Sequence, residues 1–407
     1  MSIRSSGRRT AAGAAALAVG ASVLLAPTAA GTPRAEPLPP RPASPVGASL
    51  LHGAGTHVRA RQGAPALPDD VSALSWLVAD VRTGEVLAAH DAHRRLPPAS
   101  TLKTLFALTA LPRLPGSDRH TVTDAELDDV PEGSSTVGLS ADHTYRVADL
   151  WRGVFLSSGN DAVHVLAEMN GGWEVTAAQM QAKARSLGAR DTTVVSPDGY
   201  DAEGQASSAY DLAVFGRTGL ADPAFAEYAA TADARFPGGT YSDGSPTWTY
   251  GIENTNRLVT GEDGVGRYPG IIGVKNGYTS RAGFTLIAAA RRGGRTLIAT
   301  VMNPQRGGAN AVYEEAWSLL DWGFAAAGRV DPVGSLEPTA SPGKPSAVAA
   351  VAPVTAGGVV PEGSPAGSPS AYGWSTAFLV TVALAGAAAL RSRRRRSPGA
   401  PPDTRLP

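Results

Sequence analysis

The chain contains very few lysines, and the positions of two of them suggest a catalytic role. Of its 36 lysine and arginine residues, only four are lysines: Lys103, Lys183, Lys275 and Lys344. Arginine stays protonated in proteins, whereas a buried lysine can become neutral and accept a proton. Lys103 follows Ser100 by three residues, and Lys275 stands two residues before Gly277. These are two positions at which an enzyme that forms an acyl-serine intermediate would need a lysine.

Ser100 and Lys103 form the first candidate catalytic pair, with Ser100 as nucleophile and Lys103 as general base. Residues at i and i+3 share a face of a helix, and an apolar, buried helix is predicted over residues 100–111. A lysine can take the serine proton only if its pKa is lowered, which burial or a second cation such as Lys275 would do. Taken alone, the pair is also compatible with a helix cap beside a solvated lysine.

A second candidate lies in the short loop between two predicted helices, at Ser158-Gly159-Asn160. From one loop, Ser158 can relay a proton to a leaving amine while Asn160 holds a substrate amide. Serine, glycine and asparagine are also common turn residues, so this motif by itself has a purely structural explanation.

A third candidate, Lys275-Asn276-Gly277, is predicted at the end of a β-strand. There Lys275 and Asn276 can bind a carboxylate, and Gly277 allows the substrate backbone to approach closely. The N–H groups of Tyr278 and Ser100 can together form an oxyanion hole. A single lysine at a strand end is otherwise most often solvated.

In this order the three motifs resemble those of the serine-type D-Ala-D-Ala carboxypeptidases, the low-molecular-weight penicillin-binding proteins, whose pattern is Ser-x-x-Lys, Ser-x-Asn and Lys-Thr-Gly. The resemblance covers roughly residues 68–328 and extends to further stretches of the chain. These stretches are residues 157–162, 196–200, 207–213, 254–258 and 273–284. The resemblance implies a β-lactamase/transpeptidase-like fold, no metal or other cofactor, and peptidoglycan stem peptides and β-lactam antibiotics as partners.

The resemblance also implies the reaction. Ser100 would attack the carbonyl between the last two D-alanines of a stem peptide while Lys103 accepts its proton. Ser158 and Lys275 would help to protonate the departing D-alanine, and Asn160 would position the acyl peptide. Water would then cleave the ester.

Asn276 departs from the family pattern, because the family usually has Thr or Ser at this position. In the family that hydroxyl donates to the terminal carboxylate of the substrate. An asparagine amide can donate as well but is bulkier, so the departure bears on substrate affinity and penicillin sensitivity rather than on acylation.

Two alternatives remain open. A class A β-lactamase has the same motifs and adds a glutamate that activates the deacylating water; the first glutamates after Asn160 are Glu168, Glu174 and Glu203. Glu168 and Glu174 lie in or beside predicted helices, and the match over 196–213 favours the carboxypeptidase. A catalytically weak, membrane-anchored wall-binding protein is the other alternative, which only the Asn276 departure supports.

The elements that must position these motifs begin and end with strands. Strands are predicted at residues 73–78, 85–89, 271–275, 284–289 and 296–302, and helices at 100–111, 147–156, 161–169, 176–187 and 311–326. Strands at both ends with helices between them predict an α+β fold with one antiparallel sheet from both chain ends, flanked by helices, plus a helical insertion.

The two ends of the chain predict export and anchoring. Residues 1–30 resemble a signal peptide and 31–67 a disordered linker before the catalytic domain, 68–328. A tether rich in Pro, Ala and Gly is predicted over 329–371, then a transmembrane helix over 372–390 and a basic cytoplasmic tail over 391–407. The prediction is therefore an exported protein that a C-terminal helix anchors in the cell membrane, with its catalytic domain outside the cell.

Composition excludes several other classes. The formal net charge is zero, so the chain has no electrostatic footprint for nucleic acid. It contains no cysteine, which excludes disulfides, cysteine nucleophiles and thiolate metal sites. Its seven histidines form no metal-binding spacing, and His164 is interpreted as a core or rim residue.

Overall fold

The computed structural model describes residues 49–241 and 243–337. The strands are β1 (Thr56–Ala60), β2 (Ala73–Asp80), β3 (Glu85–His90), β4 (Arg119–Thr121), β5 (Thr144–Arg146), β6 (Asp233–Pro237), β7 (Thr249–Glu253), β8 (Ile271–Thr279), β9 (Gly283–Arg292), β10 (Arg295–Pro304), β11 (Val330–Asp331) and β12 (Gly334–Ser335). The helices are α1 (Lys103–Ala110), α2 (Asp124–Asp128), α3 (Val147–Phe155), α4 (Asn160–Met169), α5 (Trp173–Ser186), α6 (Ala209–Gly219), α7 (Pro223–Ala230), α8 (Arg257–Thr260) and α9 (Ala311–Ala326). Short 3-10 turns span Ala99–Leu102 and Leu111–Arg113.

One antiparallel sheet draws its strands from both ends of the described chain. Its order is β11-β1-β3-β2-β10-β9-β8, and β12 also pairs with β3. The N-terminal strand β2 lies directly against the C-terminal strand β10, with Leu77 opposite Thr300 and Val78 opposite Ala299. This confirms the predicted antiparallel sheet from both chain ends. Strand β8 forms one edge, so its outer side is open to another chain.

Both faces of the sheet are covered, and successive side chains of a strand point to opposite faces. Leu77 and Ile298 belong to the core cluster that α1 and α6 complete, whereas Val78 and Leu297 belong to the cluster under α9. Because both faces are buried, the central strands are almost continuously apolar. Helix α1 is buried along its whole length, from Lys103 to Ala110, as its apolar sequence predicts.

Four boundaries differ from the sequence-based expectation. The predicted linker 31–67 contains β1, which pairs with β3 and β11, and the predicted tether 329–371 contains β11 and β12. These short strands have little apolar character of their own, and partners distant in sequence stabilise them.

Two elements that carry the motifs also differ. The predicted helix at 100–111 begins as the 3-10 turn Ala99–Leu102. Strand β8 continues past Lys275 to Thr279, so Lys275 is not at a strand end.

The predicted signal peptide, the membrane-spanning segment 372–390 and the basic tail lie outside the described residues. Within residues 49–241 and 243–337, no helix has both the length and the apolar character needed to cross a membrane. The predicted anchor therefore stays a prediction.

Candidate active site

Ser100 lies in a 3-10 turn that the surrounding structure holds in an unusual conformation. The preceding residue, Ala99, has a φ of 49°, which is rare for a residue with a side chain. The carbonyl of Pro98 accepts hydrogen bonds from the hydroxyls of Thr101, at 2.5 Å, and of Thr285 in β9, at 2.9 Å. The turn that carries the candidate nucleophile is thus tied both to its own helix and to the sheet.

Gly199 allows a loop to cover this turn from the other side. A Cβ at residue 199 would lie 2.1 Å from the carbonyl oxygen of Ala99, and the φ of Gly199 is +82°. Only glycine satisfies both conditions. The residue before it, Asp198, can therefore direct its backbone carbonyl toward the helix that follows Ser100.

Lys103 is placed to act on the Ser100 hydroxyl. Its Nζ lies 2.8 Å from Ser100 Oγ and 2.7 Å from the carbonyl oxygen of Asp198, and only 1% of the residue is exposed. Burial lowers the pKa of Lys103 to about 8, against the opposing effect of the Asp198 and Asp161 charges. A neutral amine within hydrogen-bonding distance of the serine can accept its proton.

Lys275 is equally buried and lies in the middle of β8. Its Nζ donates to the backbone carbonyl of Asn276 at 2.9 Å and approaches the Asn276 side-chain oxygen at 3.3 Å. Burial lowers the pKa of Lys275 well below its ordinary value, and the charge of Lys103 lowers it further. The two lysines therefore disfavour simultaneous protonation, as proposed from the sequence for a second cation near Lys103.

The Ser158-Gly159-Asn160 loop presents two polar groups without partners. Ser158 has a φ of 56°, and its buried hydroxyl has no hydrogen-bond partner among the described residues. Asn160 begins α4, and its N–H donates to the Ser135 carbonyl at 2.7 Å. The side-chain oxygen of Asn160 is also buried without a partner in this part of the chain. Unpaired buried groups are costly, so both are available for a ligand at this position.

The three motifs meet at one cavity of about 370 Å³. Its lining includes residues from every predicted motif: Ser100, Ser158, Asn160, Asn276, Gly277 and Tyr278. Lys103 reaches this cavity through its contact with Ser100. A nucleophile, its base and groups able to bind an amide and an oxyanion thus lie around one space.

Gly277 has a structural role beyond the close substrate approach predicted from the sequence. A Cβ at residue 277 would lie 2.7 Å from the backbone nitrogen of Ser100 and 3.0 Å from that of Thr101. Glycine therefore allows β8 to lie directly against the turn of the candidate nucleophile. Tyr278, the next residue, lines the same cavity as Ser100, and its ring packs on Phe284 with ring centroids 4.5 Å apart.

Asn276 forms hydrogen bonds within the protein. Its side-chain oxygen accepts from the Thr255 hydroxyl at 3.0 Å, and its amide nitrogen donates to the Thr255 carbonyl at 3.1 Å and to the Tyr313 hydroxyl at 3.2 Å. An amide has two hydrogens, and both have acceptors here. The predicted donation from Asn276 to a substrate carboxylate would require one of these bonds to be exchanged.

The profile of peptidase family S11, described as D-alanyl-D-alanine carboxypeptidase, matches residues 61–306. The chain belongs to this family. It is 39% identical over 267 residues to D-alanyl-D-alanine carboxypeptidase DacB2 of Mycobacterium tuberculosis, a match that covers 65% of this chain and 86% of the relative. It is 36% identical over 269 residues to D-alanyl-D-alanine carboxypeptidase DacD of Escherichia coli, covering 63% of this chain and 64% of the relative.

Solved structures give the same family. The chain resembles the crystal structure of D-alanyl-D-alanine carboxypeptidase from Mycobacterium tuberculosis with a TM-score of 0.59 and 38% identity, over 68% of this chain and 99% of that one. It resembles the Streptomyces K15 DD-transpeptidase with a TM-score of 0.59 and 26% identity, over 64% of this chain and all of that one, 100%. The α+β penicillin-binding, transpeptidase-type fold expected from the resemblance is confirmed.

Sequence reasoning missed Asp161, which positions the second motif of this family member. The buried carboxylate accepts hydrogen bonds from the N–H groups of Val137 at 2.9 Å, Gly138 at 2.8 Å and Leu139 at 3.0 Å. It also lies in the first turn of α4, where a helix favours negative charge. An aspartate immediately after the Ser-x-Asn motif, at a predicted helix start, was the available signal. Ser134 and Ser135, also missed, line the same cavity.

Asp201 was missed as well. Its carboxylate accepts from the hydroxyls of Thr279 at 2.7 Å and Ser280 at 3.3 Å, and from the N–H of Arg281 at 3.2 Å. It therefore joins the loop that follows Gly199 to the end of β8, at one side of the catalytic cavity. No local pattern in the sequence pairs these two segments, which are 78 residues apart.

Proposed function

We propose that this chain is a serine D,D-carboxypeptidase that removes the terminal D-alanine from peptidoglycan stem pentapeptides through an acyl-enzyme. The observation that carries the proposal is the distance of 2.8 Å between Lys103 Nζ and Ser100 Oγ, with Lys103 buried and its pKa lowered to about 8. A serine needs such a base because its hydroxyl is a weak nucleophile.

Acylation begins when neutral Lys103 takes the proton of Ser100 as Oγ attacks the carbonyl carbon between the last two D-alanines. The carbonyl oxygen becomes an oxyanion, which the N–H groups of Ser100 and Tyr278 stabilise. Gly277, the residue before Tyr278, lies close to the Ser100 backbone because it has no Cβ. The C–N bond then breaks and leaves an ester on Ser100.

The departing D-alanine needs a proton on its nitrogen. Lys103 now carries the proton from Ser100, and the partnerless hydroxyl of Ser158 can pass it to the leaving amine. Lys275, which donates to the Asn276 carbonyl at 2.9 Å, is the second group that we expect to help in this proton delivery. Water then attacks the ester by the same steps in reverse, with Lys103 as the base, and releases the shortened peptide.

Substrate binding uses the open edge of the sheet. Strand β8 is an edge strand, so a peptide can add to it as a further strand. The side-chain oxygen of Asn160 has no partner and can accept an N–H of the acyl part of the peptide. The terminal carboxylate then lies toward Lys275 and Thr255, the end of the cavity at which Asn276 replaces the usual hydroxyl residue.

The placement of the glutamates disfavours a class A β-lactamase. Such an enzyme needs a glutamate next to the acyl-serine to activate water, but none of the three candidates, Glu168, Glu174 and Glu203, lines the catalytic cavity. Glu168 and Glu174 line a separate cavity instead. Binding of β-lactams should therefore end in a long-lived adduct on Ser100 rather than in rapid turnover.

Export and membrane anchoring are part of the same proposal and rest on the sequence of the two ends. A basic N-terminus followed by an apolar run supports export, and the uncharged segment 372–390 followed by arginines supports a C-terminal anchor with a cytoplasmic tail. The substrate class requires this location, because stem peptides lie outside the cell membrane. Protease added to intact spheroplasts should digest the catalytic domain; protection of the domain would contradict the proposal.

One experiment tests the chemistry directly. The purified chain is exposed briefly to penicillin, the modified peptide is mapped by mass spectrometry, and D-alanine release from a stem pentapeptide is measured in parallel. Adduct on Ser100 and loss of both signals in Ser100→Ala are expected, whereas Ser117→Ala, at an exposed serine outside the cavity, should keep both. Continued D-alanine release by Ser100→Ala would show that the nucleophile is wrong, and rapid steady-state penicillin hydrolysis would favour the β-lactamase.

A further inference from the structure

The loop between residues 195 and 205 covers the amine of Lys103. The carbonyl oxygen of Asp198, in this loop, lies 2.7 Å from Lys103 Nζ, and only 1% of Lys103 is exposed. On the same side, Gly199 packs so closely on the Ala99 carbonyl that a side chain would not fit. The surroundings of the proposed general base therefore depend on a loop that is 95 residues away in the sequence.

The Asp198 carbonyl also determines how the amine is oriented. A neutral amine has two hydrogens and one lone pair, and only the lone pair can accept the proton of Ser100. When one hydrogen donates to the Asp198 carbonyl, the lone pair can face Ser100 Oγ, which is 2.8 Å from Nζ. A carbonyl displaced from this position would leave the amine free to rotate and to bind water instead.

The side chain of Gln205 holds both ends of the turn around Asp198. Its Oε1 accepts from the N–H groups of Val195 at 3.0 Å and Ser196 at 2.8 Å, and its Nε2 donates to the Tyr200 carbonyl at 2.7 Å. The residue is buried. One amide therefore joins three backbone groups on the two sides of Asp198.

The carboxylate of Asp198 shapes the inside of the same turn. It accepts from the Ser196 hydroxyl at 2.6 Å and from the Tyr200 N–H at 2.9 Å, which is typical of aspartate in turns. The Ser196 hydroxyl also lies 3.2 Å from Gln205 Nε2. These bonds are local to the turn, whereas Gln205 ties the turn to the segment that leads into α6.

We propose that Gln205 is a positioning residue for acylation. Its side chain holds the loop closed over Lys103, so that the Asp198 carbonyl binds one amine hydrogen and the lone pair faces Ser100. The inference rests on the proposed function, in which Lys103 is the base for Ser100. It extends that function to a residue that does not line the catalytic cavity and acts only through the loop.

Loss of these hydrogen bonds should change the pH dependence of acylation. Burial lowers the pKa of Lys103 to about 8, against the opposing charges of Asp198 in the loop and Asp161 in α4. Lys275 faces Lys103 from β8. An opened loop admits water, which stabilises the ammonium form without altering the other three charged groups. The pKa of Lys103 should therefore rise toward its ordinary value.

Gln205→Met tests the inference, because methionine has nearly the shape of glutamine but lacks the amide. The rate constant of penicillin acylation is measured from about pH 6 to pH 10, and the final amount of labelled Ser100 gives the folded fraction. The midpoint of the pH profile should rise by about one unit, and the rate constant at pH 7 should fall about tenfold. A merely structural role would lower the labelled fraction and leave the midpoint unchanged.

Gln181→Met is the matched control. The side chain of Gln181, on α5, accepts from the Val194 N–H at 2.9 Å and donates to the Thr192 carbonyl at 3.0 Å. It holds the segment just before the loop by the same kinds of bond, but not the turn at Asp198. The midpoint of this variant should therefore stay native.

Ser196→Ala is a milder change in the turn itself, because it removes one hydroxyl that contacts Asp198 and Gln205. It should raise the midpoint by less than Gln205→Met does. If Gln205→Met does not fold, Ser196→Ala decides the question, and an unchanged midpoint in it overturns the inference.

The remaining outcomes separate this inference from the proposed function. A native midpoint in folded Gln205→Met, or an equal rise in Gln181→Met, would overturn the role of Gln205 and leave the carboxypeptidase proposal intact. A native chain that penicillin does not acylate would overturn both proposals together.

Discussion

Gly277 of β8 lies directly against the backbone of Ser100, so close that a Cβ on residue 277 would be 2.7 Å from the Ser100 nitrogen. The third motif therefore has a structural role besides the substrate binding proposed for it. It allows the edge strand to reach Ser100, and the next residue, Tyr278, carries the N–H that is proposed as the second half of the oxyanion hole.

Gly277→Ala should consequently slow acylation. The added methyl must push β8 away from Ser100, which weakens the oxyanion hole, and loss of one oxyanion donor typically costs roughly 100- to 1,000-fold in rate. The rate of penicillin acylation is the measurement. Gly251→Ala is the control, because a Cβ at residue 251 meets nothing within 4 Å. An acylation rate within about twofold of native in Gly277→Ala would refute the role assigned to this contact.

Lys103→Arg should abolish acylation although it preserves the positive charge. Arginine cannot lose its proton in a protein, so it cannot serve as the base for Ser100, and removal of a general base costs roughly 100- to 10,000-fold. Stopped-flow measurement of penicillin acylation tests this. Lys183→Arg, at a lysine on α5 that does not line the catalytic cavity, should stay near the native rate. Substantial acylation by Lys103→Arg would exclude Lys103 as the base.

The pKa of Lys103 predicts how acylation depends on pH. The reactive form is the neutral amine, and burial lowers the pKa to about 8. The rate constant should therefore rise about tenfold per pH unit below pH 8 and level off above it. A rate that falls as pH rises from 6 to 8 would contradict a neutral Lys103 as base.

Asn276→Thr should increase affinity for substrate. Both amide hydrogens of Asn276 are engaged, one by the Thr255 carbonyl and one by the Tyr313 hydroxyl. A threonine hydroxyl, the residue type usual in the family, would be free to donate to the substrate carboxylate. We expect KM for a stem pentapeptide to fall by about tenfold, the value of one good hydrogen bond to a charged group.

Tyr313→Phe offers a second test of the same point, because it frees one amide hydrogen of Asn276 without changing Asn276 itself. It should also lower KM, by a smaller factor. If neither variant changes KM, the substrate carboxylate does not bind at this end of the cavity.

Asp161→Asn should weaken both stability and acylation. The buried carboxylate accepts from three consecutive backbone N–H groups and fixes the start of α4, where Asn160 lies. An amide cannot accept all of these bonds, and hydrogen bonds to a charged group contribute about 1.5–3 kcal/mol each. The loss should be about 2–4 kcal/mol by denaturant unfolding.

Asp124→Asn is the matched control, since Asp124 is also in the first turn of a helix, α2, but is exposed. It should lose at most about 1 kcal/mol. Equal losses in the two variants would mean that the helix N-terminus alone, and not the bonds to residues 137–139, explains the role of Asp161.

Local sequence was enough to predict the residues that we propose for the chemistry and the elements beside them. The composition alone showed that lysine is scarce. The sequence also predicted the Ser100 and Lys103 pair and the loop Ser158-Gly159-Asn160, because each motif consists of residues a few positions apart. The central strands and the buried helix α1 could be predicted as well, because a long apolar run predicts burial wherever it lies in the chain.

Only the tertiary structure determined which segments distant in sequence are in contact. Three features join residues far apart in the chain: the pairing of β1 with β3, the fit of Gly277 and Gly199 around the turn of Ser100, and the engagement of Asn276 by Thr255 and Tyr313. Steric contact, hydrogen bonding and electrostatic potential depend on distance in space. A single sequence encodes those distances only through the complete fold, and local patterns therefore cannot reveal them.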